Sequence, residues 1–134
     1  MSVACDRAGV RTAAQQVGDA AEALVADRLT AAGWTILGRQ VRVGRAELDL
    51  VALDPRGTWL VIVEVRWRSR RDYGLAEETV DRAKLARLRR AAFSLLEIGH
   101  LPDGVPVPRL PLRFDLVVVE PRGVVRHHAN LGSS

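Results

Sequence analysis

Two acidic residues on neighbouring apolar runs offer the most direct chemistry in this sequence. Asp49 stands in Ala46-Glu47-Leu48-Asp49-Leu50-Val51-Ala52-Leu53, and Glu64 in Trp59-Leu60-Val61-Ile62-Val63-Glu64-Val65-Arg66. Between them, Asp54-Pro55-Arg56-Gly57 is turn chemistry: proline brings a fixed φ and glycine the freedom to reverse. The two runs therefore predict a β-hairpin, and the near-continuous apolarity of the second predicts a central strand buried on both faces. Alternation groups Glu47, Asp49 and Val51 on one face, and likewise Ile62, Glu64 and Arg66. A four-residue loop, Pro55 to Thr58, sets Asp49 opposite Glu64; a two-residue loop, Pro55 and Arg56, makes them diagonal neighbours. In either register the carboxylates come within about 4.5–8 Å at Cβ.

Carboxylates that close, among valines, repel each other and resist desolvation, so a cation must compensate them. A magnesium ion, held by oxygen ligands and completed by water and substrate phosphate, is one solution. An ion pair between Glu64 and an arginine such as Arg66 is the other. Pattern alone leaves both open.

The elements that would position this pair follow in order. Gly18 to Ala32 predicts a helix, with Ala21, Leu24, Val25 and Leu29 as its apolar stripe and Gly33 as its stop. Glu22 lies beside that stripe, either as an acid favoured by the helix dipole or as one turned toward the hairpin. Residues 1–16 read as a mobile leader before a single domain over 17–128, with 129–134 as a tail. Trp34 to about Arg42 predicts the first strand.

After the hairpin, Trp67-Arg68-Ser69-Arg70-Arg71-Asp72-Tyr73-Gly74 interleaves arginine with aromatics. Arg68, Arg70, Arg71 and Tyr73 could hold phosphates and stack on bases, or simply form a solvated basic loop. Thr79 can cap a second helix to about Ile98, with Leu85, Leu88, Ala92, Leu95 and Leu96 inward and Lys84 one turn before Leu88. Gly99 to Pro111 predicts an extended connector, Leu112 to Glu120 a buried strand, and Val124 to about His128 a short edge strand. His127 and His128 then face opposite sides, a poor arrangement for a shared metal.

The 134 residues are 48% hydrophobic and 27% charged, the balance of a globular domain. No apolar run is long enough to span a bilayer, and the start lacks the basic-then-apolar order of a secretory signal. A cytoplasmic protein is the resulting expectation. Cys5 is the sole cysteine, which excludes an internal disulfide and a multi-cysteine zinc site. A net charge of +4 and a pI near 10.5 favour anionic partners, nucleic acid first. The basic residues are 19 arginines and one lysine, Lys84.

The order helix, three strands, helix, two strands, with acids in the first helix and on the hairpin, resembles the restriction-endonuclease-like, or PD-(D/E)xK, fold: a mixed central sheet flanked by helices, αβββαββ. More closely, GDAAEALVADRLTAAGWTIL, AELDLVAL, VIVEVRWRSRRDYGLAEETVDRAKLARLRRAA and RFDLVVVE resemble the YraN-like family of uncharacterised bacterial proteins, distantly similar to archaeal Holliday-junction resolvases. The resemblance spans about Gly18 to Glu120.

It implies a nuclease site of Glu22, Asp49, Glu64, Arg66 and Lys84. Asp49, Glu64 and the Val65 carbonyl would hold magnesium or manganese, with Glu22 supporting it directly or through water. Asp115 matches an acidic strand position of structural role. Two departures stand out. Ala46 replaces the family's glycine before the acid, and Arg66 replaces its lysine, keeping the cation but unable to act as a base. The functional expectation is a metal-dependent nuclease acting on DNA, with branched or damaged DNA among its candidate substrates. Its rivals are a catalytically weak DNA-binding module of the same fold and a homodimeric interaction scaffold.

Overall fold

The computed structural model describes residues 12–68 and 82–131. Its elements are α1 (Ala13–Ala31), β1 (Thr35–Val43), β2 (Ala46–Leu53), β3 (Leu60–Trp67), α2 (Arg82–Ile98), β4 (Leu112–Glu120), a 3-10 turn over Pro121–Gly123, and β5 (Val124–His128). This is the predicted αβββαββ order, built on one five-stranded sheet in which neighbours follow chain order from β1 to β5. All neighbouring pairs are antiparallel except β3 and β4, which run parallel and are joined through α2. A parallel pair cannot be closed by a tight turn, and the intervening helix is the usual answer.

The helix α1 begins at Ala13, earlier than the predicted Gly18, because Thr12 closes a capping box with Gln15. Its Oγ1 accepts the Gln15 N–H at 3.1 Å, and Gln15 Oε1 accepts the Thr12 N–H at 2.8 Å. Residues 13–16 thus belong to the helix rather than to a mobile leader. Gly33, at φ +96°, ends the element as expected. Thr79, the expected cap of α2, lies outside the described residues.

The hairpin closes in the four-residue-loop register: Leu53 pairs with Leu60 and Leu50 with Val63. Asp54 organises the turn by accepting the N–H groups of Thr58 and Trp59 at 2.7 and 2.8 Å, which accounts for its burial. The central strand β3 is closed off on both faces from Leu60 to Val63, as predicted. One face packs Leu48, Val51, Leu60 and Ile62 against Leu88, Ala92 and Leu95 of α2. The other packs Leu50, Val61, Val63 and Val117 against Ala21, Val25 and Leu29 of α1.

The connector Gly99–Pro111 folds back on itself through Val107 N–H to Gly99 O at 2.9 Å and buries Leu101 and Val107. Leu101 lies so close to β1 that a Cβ on Gly38 would stand 2.6 Å from its Cδ1. The start of the expected tail is also tied down. Asn130 N–H donates to Asp115 Oδ1 at 2.9 Å and Leu131 N–H to Phe114 O at 2.6 Å.

Candidate active site

The β2–β3 ladder stops one step short of the acids. Its last pair is Leu50 with Val63; beyond it, the Asp49 Oδ2, not a main-chain carbonyl, accepts the Val65 N–H at 2.9 Å. Leu48 and Val51 pack in one core cluster while Leu50 packs in the other. Strict alternation between the two clusters therefore fails across Asp49. Glu47 is exposed and paired with Arg42 at 3.3 Å.

Asp49 and Glu64 sit side by side as the register requires and share a hydrogen bond. Burial pushes the Asp49 carboxyl up to about 8, and the hydrogen bond to Glu64 and the Glu64 charge push the same way. For Glu64, burial also disfavours the charge, yet its bonds to Asp49 and Lys84 and the nearby Arg66 hold it below its usual value. The pair thus carries one proton, kept on Asp49 beside an ionised Glu64.

Two cations converge on Glu64 Oε2: the Lys84 ammonium from the first turns of α2, and Arg66 Nη2 from two residues further along β3, at 3.1 Å. The ion pair foreseen as the alternative to a metal is present, and Lys84 joins it across the β3–β4 crossover. Arg68 is partly buried at the end of β3; Arg70, Arg71 and Tyr73 lie outside the described residues.

Glu22 is 9% exposed on α1, and its Oε1 is buried without a hydrogen-bond partner. Burial raises its carboxyl, a Gln40 hydrogen bond opposes this, and Asp19 and Glu47 add to the rise. Its charge is felt at Asp49, so it belongs to the same electrostatic neighbourhood.

Gln40 was not anticipated. Arg39 pairs with Leu50 and Val41 with Leu48, which places Gln40 across from Asp49 in the sheet. It adopts φ +49°, a left-handed backbone that costs a side-chain-bearing residue about 1–2 kcal/mol. In return its amide reaches α1, donating to Asp19 Oδ1 at 2.8 Å and bonding Glu22. Nothing in the local sequence signals that backbone.

Asp115 forms a separate, structural centre. It is 1% exposed and accepts Arg113 Nε and Nη2 at 3.0 and 2.9 Å, and the Asn130 N–H. His127 Nε2 completes the set at 2.7 Å. Burial opposes its ionisation, but His127, Arg113 and Asn130 outweigh that and hold the carboxyl below its usual range. Arg113 also lies over the Trp34 ring, 5.5 Å from its centroid.

The donor chemistry suits a hard divalent cation. Glu64 presents a buried carboxylate and Asp49 a half-buried one, Glu22 adds an oxygen with no partner, and the Val65 main chain adjoins Asp49. Among the described residues no three Asp, Glu, His or Cys side chains gather into a metal-holding group, so such an ion would rest on the pair, main chain and water. It would take the place of the proton that the pair now shares.

A mixed sheet flanked by a helix on either face, with acids on its central hairpin, is an α/β fold of the nuclease-like class. Residues 21–119 match the Uncharacterised protein family UPF0102, and the chain belongs to that family. A UPF0102 protein of Symbiobacterium thermophilum is 44% identical over 80% of this chain and 84% of its own. Those of Paenarthrobacter aurescens and Kineococcus radiotolerans are each 41% identical, covering 87% and 86% of this chain and 89% and 92% of theirs. Among the described residues no helix is long and apolar enough to cross a membrane.

Proposed function

We propose that the protein is a metal-dependent nuclease that hydrolyses DNA phosphodiesters. The observation that carries this reading is the convergence of Lys84 and Arg66 on Glu64 beside Asp49. A buried and a half-buried acid with two cations at their rim suit a site that neutralises a phosphate while holding water beside it. Asp49 and Glu64, with the Val65 carbonyl, would hold magnesium or manganese, and Glu22 would support it through water. A divalent ion so held supplies Lewis acidity toward water and phosphate.

The remaining roles belong to the chain. Glu64 fixes both cations by ion pairing. Arg66 offers a planar fork to phosphate oxygens, whereas Lys84 is a compact point charge on an amine. Lys84 thereby provides the amine that the strand position lacks. Gln40 holds Glu22 toward the pair from across the sheet.

The test is cleavage of linear duplex, single-stranded and four-way-junction DNA with magnesium or manganese. Cleavage by the wild type that is lost in both Glu64→Ala and Lys84→Ala supports the reading. Full activity in Glu64→Ala removes it. A second reading, a DNA-binding module without cleavage, draws on Arg66, whose guanidinium is a poor base. It predicts a silent wild type and an active Arg66→Lys.

A further inference from the structure

A groove of about 570 Å³ runs between the β1–β2 turn and α2. Arg45 borders it from the turn; Lys84, Arg87 and Arg90, three residues apart, border it from one side of the helix. Leu88 and Ala91 form its floor. Arg45, Arg87 and Arg90 are exposed and have no ion pair or hydrogen bond among the described residues. The one acid among the described lining residues, Glu47, is already matched by Arg42. Lys84 is common to the groove and to Glu64, so the groove opens onto the acid pair.

Among the described residues no aromatic side chain lines the groove, so none of them offers a stacking surface for bases. Arg87 and Arg90 on α2 and Arg45 on the facing turn, over a short apolar floor, suit a run of backbone phosphates. We propose that this groove binds the phosphodiester backbone of a nucleic-acid strand and leads it to Asp49 and Glu64. The proposal deepens the nuclease reading and rests on it for what happens at the acid pair. It assigns binding to Arg45, Arg87 and Arg90, none of them in the basic loop that the sequence singles out. Contacts of this kind read charge and spacing, so the groove is indifferent to base sequence.

The experiment is anisotropy of labelled single-stranded and duplex oligonucleotides between 50 and 200 mM salt, without metal. The wild type is compared with R45A/R87A/R90A and with a control lacking three exposed arginines off the groove, Arg56, Arg109 and Arg122. Magnesium calorimetry on each variant reports the integrity of the acid pair. Losing three phosphate contacts lowers the slope of log K against log salt by about 2.7 for duplex and about 2.1 for single strands. That drop, absent from the control and with magnesium binding retained, is the expected result.

An unchanged slope, an equal drop in the control, or no DNA binding by the wild type overturns the proposal. So does binding to phosphatidylserine vesicles through the same three arginines with none to DNA. The two readings fail separately. A groove-dependent slope without cleavage under any metal retires the nuclease alone, and cleavage abolished by Glu64→Ala with a groove-independent slope retires the groove alone.

Discussion

Magnesium binding to this protein should displace a proton, and the amount follows from the site. With the Asp49 carboxyl raised to about 8, the metal-free pair is protonated about ten to one at pH 7. A cation entering between Asp49 and Glu64 needs both ionised, so about 0.9 proton leaves per ion at pH 7 and about 0.1 at pH 9. Below pH 8 each unit of acidification then costs about tenfold in affinity, or ~1.4 kcal/mol.

Calorimetric titration in PIPES and in Tris at one pH reads this directly, because the apparent enthalpy changes with buffer ionisation heat in proportion to the protons released. Asp49→Asn should abolish the release and flatten the pH dependence of whatever affinity remains. Stability gives an independent sign. Asp49 is raised above its unfolded value of 3.8, so its contribution is full below about pH 4 and is lost as pH climbs to 8. Glu64 is lowered, so its contribution is present above its unfolded value and lost as pH falls. The pair on its own therefore makes the metal-free protein less stable from pH 5 to 8, and Asp49→Asn should remove that decline. Equal magnesium affinity at pH 6 and 8, or no proton release at pH 7, would refute the shared-proton description of the pair.

Two further substitutions separate structure from function. Asp115→Ala strips the partners from Arg113, His127 and the Asn130 N–H, and should cost about 3–5 kcal/mol in denaturant unfolding, less if water reaches the partly exposed Arg113; a loss below 1 kcal/mol would make the network incidental. Gln40→Gly relieves about 1–2 kcal/mol of left-handed strain while releasing Glu22. Unchanged or raised melting temperature with weakened magnesium binding is expected, and a lower melting temperature with intact binding would leave Gln40 a purely structural residue.

Local chemistry made much of the frame legible. The Asp54–Gly57 turn chemistry announced the hairpin but left two registers open, of which the pairing of Leu50 with Val63 selects the Pro55–Thr58 loop, and the apolar run of β3 announced a strand covered twice. The early start of α1 was also written locally, in Thr12 and Gln15, but without an apolar stripe to draw attention to it. The rest depends on contacts between distant segments. Lys84 meets Glu64 only once α2 has crossed from β3 to β4. His127 reaches Asp115 because β5 pairs with β4 in the register that sets it across from Val117. The break in alternation across Asp49 and the left-handed Gln40 answer to tertiary demands that no propensity encodes.

Gln40 also shapes what the sheet can do with other molecules. An open sheet ends in two rows of main-chain donors and acceptors, here along β1 and β5, each a template for a foreign strand. The register shift between Ile36 and Gly38 and the left-handed Gln40 interrupt the β1 row, so an incoming strand meets a broken ladder. At the opposite edge β5 spans only Val124–His128. The geometry that holds Glu22 near the acids thus doubles as a guard against edge-to-edge aggregation, and straightening β1 would trade away both.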